Sequence, residues 1–123
     1  MIGYVTLGTN DLKKASAFYD NICGEFGMGR FMENDRLIAW GGPGRGAGFG
    51  VALPYDGQAM TAGNGVMAAF SAKDKAQVDR VHALALSLGG TCEGPPGPRG
   101  TGGFYAAYFR DPDGNKLNAF VMG

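Results

Sequence analysis

The order of elements in this chain repeats. With a shift of 63 positions, Asp11 falls on Asp74, Gly27 on Gly90, and the quartet Ala15, Phe18, Tyr19, Ile22 on Val78, Val81, His82, Ala85. Tyr4 falls on Met67. Identity between the halves is low, so the repeat lies in pattern: strand, helix, strand, strand, strand, twice, with similar lengths. One helix cannot cover both faces of a sheet, so such a half needs a second half or a second chain beside it. This predicts an α+β fold of two βαβββ modules, about residues 1–60 and 64–123, forming a curled mixed sheet around a cavity. The 123 residues suit one domain of this kind.

Local signals place the elements. Ile2 to Leu7 alternates and carries the β-formers Tyr4, Val5 and Thr6. Thr9-Asn10-Asp11 is a helix-start cluster, and Ala15, Phe18, Tyr19 and Ile22 form one buried helical stripe ending near Gly24. Arg30–Glu33, Leu37–Trp40 and Phe49–Leu53 read as strands, with a flexible glycine loop over 41–48. In the second half, Val66–Ser71 is a strand and Lys73–Leu88 a helix stopped by Gly89-Gly90. Thr91–Glu93 is a short strand before a Pro/Gly loop over 94–103.

The most specific stretch is YAAYFRDPDGNKLNAF, residues 105–120. Asp111-Pro112-Asp113-Gly114 predicts a type I turn closed by a left-handed glycine, hence a hairpin. Alternation puts Lys116, Asn118 and Phe120 on one face of the last strand and Leu117, Ala119 and Val121 on the other. Tyr105, Ala107 and Phe109 share a face of the preceding strand, and the pattern leaves open which face is inside.

Composition excludes several classes of function. Lys plus Arg equals Asp plus Glu at 11 each, so there is no basic footprint for nucleic acid or an anionic membrane. No apolar stretch approaches the ~20 residues of a membrane span, and no signal peptide is apparent, so a cytoplasmic setting is expected. Cys23 and Cys92 are too few and too far apart for a CxxC or zinc motif, and are expected as free thiols. His82, the sole histidine, falls on the inner stripe of the second helix, where packing is the first expectation. Gly42 to Ala47 formally fits GxGxxG/A, but a strand rather than a helix follows, so no dinucleotide site is expected.

Taken together, IGYVTLGTNDLKKASAFYDNI, GNGVMAAFSAKDKAQVDRVHALALSLGG and the closing hairpin resemble the vicinal oxygen chelate superfamily of glyoxalases, extradiol dioxygenases and fosfomycin- and bleomycin-resistance proteins. The likeness covers nearly the whole chain. It implies paired βαβββ modules, usually in a homodimer, and in the family's enzymes a divalent metal in the concavity. It also implies which positions would hold that metal. The first-strand ligand, commonly His or Gln, falls on Tyr4; its second-module counterpart, commonly His, on Met67; the closing-strand ligand, commonly Glu, on Asn118. A phenol, a thioether and an amide form a poor set for a hard divalent cation.

The resemblance therefore implies a member without cofactor that binds or sequesters a small organic molecule. Tyr4, Met67 and Asn118 are its cavity candidates. Trp40, with core packing as its first role, and Tyr105 are further candidates for the wall, Phe49 and Tyr108 stand open between the same two roles, and Arg99 is a candidate for the mouth, facing an anionic ligand. The alternative is a metal-dependent glyoxalase-like lyase, isomerase or dioxygenase with a non-standard ligand set drawing on Glu33 or Asp56. Whether a reaction is catalysed stays open between the two.

Overall fold

The computed structural model describes residues 1–42 and 46–123. The middle of the 41–48 glycine loop, and with it the core of the GxGxxG-like motif, lies outside the described residues. The chain divides into two compact units, Met1–Ala62 and Gly63–Gly123. Each is a βαβββ module, and the fold is α+β.

The first unit runs β1 (Tyr4–Gly8), α1 (Leu12–Glu25), β2 (Gly29–Glu33), β3 (Leu37–Gly41) and β4 (Gly48–Ala52). Its sheet has the order β1-β4-β3-β2, with β1 parallel to β4 and the other pairs antiparallel. Asp11 caps α1, its carboxylate accepting from Lys14 N at 3.0 Å. The stripe foreseen from periodicity is buried: Ala15, Phe18, Tyr19 and Ile22 are all at most 3% exposed. Tyr19 sits on the sheet with its ring 4.7 Å from Phe49 and 5.9 Å from Trp40. Those two residues are register partners, so they mark the helix-covered face.

Asp20 ties the same helix to the sheet through hydrogen bonds. Its Oδ1 accepts from Trp40 Nε1 and Arg30 Nε, each at 2.9 Å, and its Oδ2 from Arg30 Nη2 at 2.7 Å. Arg30 reaches this position because it is the register partner of Trp40, and β2 bulges just after it, between Arg30 and Met32. The bulge also turns the Phe31 ring over Gly41 and Gly48, where an added Cβ would lie 3.1 and 3.0 Å from that ring.

The second unit runs β5 (Ala68–Ser71), α2 (Lys75–Ser87), β6 (Thr91–Pro98), β7 (Phe104–Arg110) and β8 (Lys116–Met122). The sheet order β5-β8-β7-β6 repeats that of the first unit, again with the first and last strands parallel. Asp74 caps α2 by accepting from Gln77 N at 2.8 Å, and Gln77 Oε1 in turn accepts from Lys73 N at 2.9 Å. The hairpin forms as its turn chemistry requires. Gly114 N donates to Asp111 O at 2.9 Å, Gly114 takes φ +93°, and Asp111 Oδ1 accepts from both Asp113 N and Asn115 N at 2.9 Å.

Two expectations are corrected here. The strand after α2 does not stop at Glu93 but continues to Pro98 through three prolines. It is the edge of its sheet, so a missing proline N–H removes no ladder bond on its outer side. Its register to β7 slips twice, between Cys92 and Gly94 and between Gly94 and Gly97. The alignment of Gly27 with Gly90 also fails at the backbone. α2 is 13 residues long against 14 for α1, so the left-handed glycine that follows is Gly89, φ +96°, matching Gly27, φ +74°. Gly90 is needed for another reason: an added Cβ would lie 2.6 Å from Arg110 O and 2.9 Å from Ala85 O.

Two outcomes are expected. Gly90→Ala will lower stability by about 1–3 kcal/mol, because only backbone can give way, and denaturant unfolding measures it. The second concerns Asp20, whose carboxyl is held below its usual range chiefly by the Arg30 hydrogen bond. A depressed folded value means its contribution is present above pH ~4 and is lost as pH falls through the folded value. Asp20→Asn will therefore melt below wild type at pH 7, and the gap between the two melting temperatures will narrow as the pH falls below about 4.

Candidate functional site

Each unit has one helix, so each sheet has one face without a helix. In the second unit, Phe109 and Ala107 face α2, where the His82 ring meets Phe109 edge-on at 6.5 Å. Register then puts Leu117 and Ala119 on the helix side, and Asn118, Tyr108 and Phe120 on the other. Asn118 is 2% exposed, and its Oδ1 is buried with no hydrogen-bond partner. Leaving such a group unpaired costs roughly 1–3 kcal/mol.

The surroundings of Asn118 are aromatic and cationic. Tyr108, its register partner, has the Arg99 guanidinium and the Lys116 ammonium each 5.5 Å from its ring centroid. Gly94 makes room for Arg99 there: a Cβ would lie 3.1 Å from Arg99 Nη2 and 3.4 Å from the Tyr108 ring. Arg99 is held by Pro95 O at 2.7 Å and Gly97 O at 2.8 Å. Neither Arg99 nor Lys116 forms an ion pair among the described residues. Phe104 and Phe120 stack at 5.6 Å on the same face.

In the first unit, Tyr4 is 47% exposed on the helix-free face and meets Phe31 edge-on at 6.4 Å. A cleft of about 520 Å³ lies beside that pair, bordered by Gly3, Gly29, Phe31, Gly41 and Gly48. A second cleft, of about 430 Å³, opens at the far end of β1 and β4 between Thr6, Gly8, Arg36, Tyr55, Asp56 and Met60. Arg36 is engaged there, donating to Leu53 O at 3.1 Å and lying 5.3 Å from the Tyr55 ring centroid.

Of the residues singled out from sequence, Asn118 and Arg99 come together around Tyr108, an aromatic that the sequence left open between core and cavity wall. Its alternation with Asn118 across the hairpin was the available signal. Met67 stands just before β5, 43% exposed, and Tyr4 belongs to the other unit. Trp40 and Tyr105 leave the candidate set, because both face helices. Trp40 is 1% exposed under α1 and hydrogen-bonded to Asp20. Tyr105 Oη donates to Asp79 Oδ1 of α2 at 2.7 Å, and that bond raises the phenol's pKa.

The positions implied for a metal do not supply a fitting donor set. They present an exposed phenol, an exposed thioether and a buried amide oxygen. Glu33 is paired with Arg30 at 2.8 Å, and Asp56 Oδ1 accepts from Gln58 N in its own turn. Among the described residues no cluster of three or more His, Cys, Asp or Glu side chains is placed to hold an ion. Nor is any helix among them long and apolar enough to cross a membrane.

Comparison with known proteins agrees with this architecture. The chain is similar to a glyoxalase/bleomycin resistance protein from Albidiferax ferrireducens T118, with 40% identity over 100% of this chain and 99% of that one and a TM-score of 0.90. A glyoxalase/bleomycin resistance protein/dioxygenase family enzyme from Burkholderia phytofirmans PsJN shares the fold at 20% identity and TM-score 0.80, covering 98% of both chains. The lactoylglutathione lyase of Agrobacterium tumefaciens does so at 23% identity and TM-score 0.71, with 98% and 92% covered. No curated protein matches the chain. The model of the Glyoxalase/Bleomycin resistance protein/Dioxygenase superfamily matches residues 1–119, and the chain belongs to that superfamily.

Proposed function

We propose that this protein binds a small organic molecule without a metal, on the helix-free face of its second sheet. The observation that carries the proposal is the buried, unpartnered Oδ1 of Asn118. A carbonyl in that state is stabilised by any ligand that brings a hydrogen-bond donor to it. Tyr108 offers a ring for stacking, and Arg99 and Lys116 lie against that ring with no carboxylate partner among the described residues. The fitting ligand is a compact, partly aromatic molecule with a donor group and a negative charge. The lyase from Agrobacterium tumefaciens lends no substrate to this reading, since its likeness at 23% identity shows the fold alone.

The test pairs Asn118→Leu with a thermal-shift screen of aromatic carboxylic acids. Asn118→Leu removes the orphan carbonyl at similar volume, so the unliganded variant will match or exceed wild type in stability, by up to about 1–3 kcal/mol. Ligands that raise the wild-type melting temperature will lose that effect in the variant. A variant that keeps full ligand affinity overturns the proposal. Elemental analysis of the purified protein checks the metal-free part: less than about a tenth of an equivalent of any transition metal is expected, also after loading and washing, since only well-formed sites survive purification. A stoichiometric metal would point instead to a metal-dependent lyase, isomerase or dioxygenase.

A further inference from the structure

α2 and β6 bring together two groups that the proposed binding face does not use. His82 Nε2 lies 3.3 Å from Cys92 Sγ. The imidazole is 7% exposed and packed edge-on against Phe109, whereas Cys92 is exposed on the edge strand. The register slip after Cys92 turns Gly94 N back onto the sulfur, donating at 3.3 Å. The sulfur thus has an imidazole nitrogen on one side, a backbone donor on the other, and access from solvent.

We infer that Cys92 and His82 form a thiol-modification site that reacts with low-molecular-weight disulfides. Burial holds His82 below its ordinary pKa, against an opposing pull from Asp79, so the ring is neutral and able to accept a proton. Nε2 takes the Sγ proton as the sulfur attacks one sulfur of R–S–S–R. The new Sγ–S bond forms, the reagent's S–S bond breaks, and the electron pair leaves on RS⁻. That thiolate takes the proton from His82. Cys92 is oxidised to the mixed disulfide and half of the reagent is reduced to RSH. The backbone N–H of Gly94 stabilises the thiolate while it lasts. Cys23 serves as the internal contrast. It is 0% exposed, and burial pushes its thiol up to about 12, so it stays unmodified while the fold holds.

The experiment follows the intact mass of the whole protein at pH 7 with bis(2-hydroxyethyl) disulfide, an uncharged probe. One adduct is expected, mapped to Cys92 and absent in Cys92→Ser. A free thiol is only a few per cent thiolate at this pH, so a working base will make native Cys92 about tenfold faster than the same thiol in a synthetic peptide of residues 89–95. His82→Gln keeps a hydrogen-bonding side chain but not the base, and will return the rate to within about twofold of the peptide. Protection of Cys23 reports whether that variant remains folded; if it opens, the wild-type rate against the peptide decides alone. No adduct, an adduct on Cys23, or a native rate no faster than the peptide's overturns the inference, as does a folded His82→Gln variant reacting at the wild-type rate.

Discussion

Each unit of this protein has a four-stranded sheet and one helix, and a helix covers one face only. The rest of the structure depends on how that single contact is made. In the first unit it rests on Tyr19 against Phe49 and Trp40, locked by the Asp20 carboxylate between Trp40 and Arg30. In the second it rests on Val78, Val81 and Ala85, all fully buried, with His82 against Phe109. The most deeply buried apolar side chains lie on the helix side of each sheet. What stands on the other side is released from that packing and is free to be chemically specific.

That division explains where polar groups are settled and where one is not. The hairpin of the second unit satisfies its buried groups internally: Asp111 accepts from Asp113, Asn115 N and Asn115 Nδ2, and Arg110 donates to Gly114 O. Its turn is therefore rigid and self-contained. Asn118, three residues further along, is as buried as Asn115 and has an unpaired oxygen. A glutamate there would carry a charge needing a cation. The amide keeps the acceptor and gives up the charge, so its burial costs far less than a carboxylate's would.

Much of this was legible in the chain. The repeat, the helix start at Asp11, the buried stripes of both helices, and the hairpin turn at Asp111–Asn115 are local patterns, and local physics settles them. The face assignment of β8 was legible too, because strand alternation needs no partner. Other features were not. Pro95, Pro96 and Pro98 read as loop until their strand proved to be an edge. Gly90 read as a helix stop, whereas its backbone contact with Arg110 O is what forbids a side chain there. Trp40, read first as core, and Tyr105 stayed open between core and cavity wall because nothing in the sequence says which side of a strand the helix will take.

Readable from the chain alone are the two βαβββ modules and the register signals of their strands. These follow from periodicity, turn chemistry and residue type, all of which act over a few neighbouring positions. Only the tertiary structure decided that Asn118 Oδ1 is buried without a partner, that Arg99 and Lys116 converge on Tyr108, and that His82 meets Cys92. Each of these depends on which strand lies at an edge, which face a helix covers, and where a bulge shifts the register. Those are properties of distant segments packed together, and no single stretch of chain encodes them.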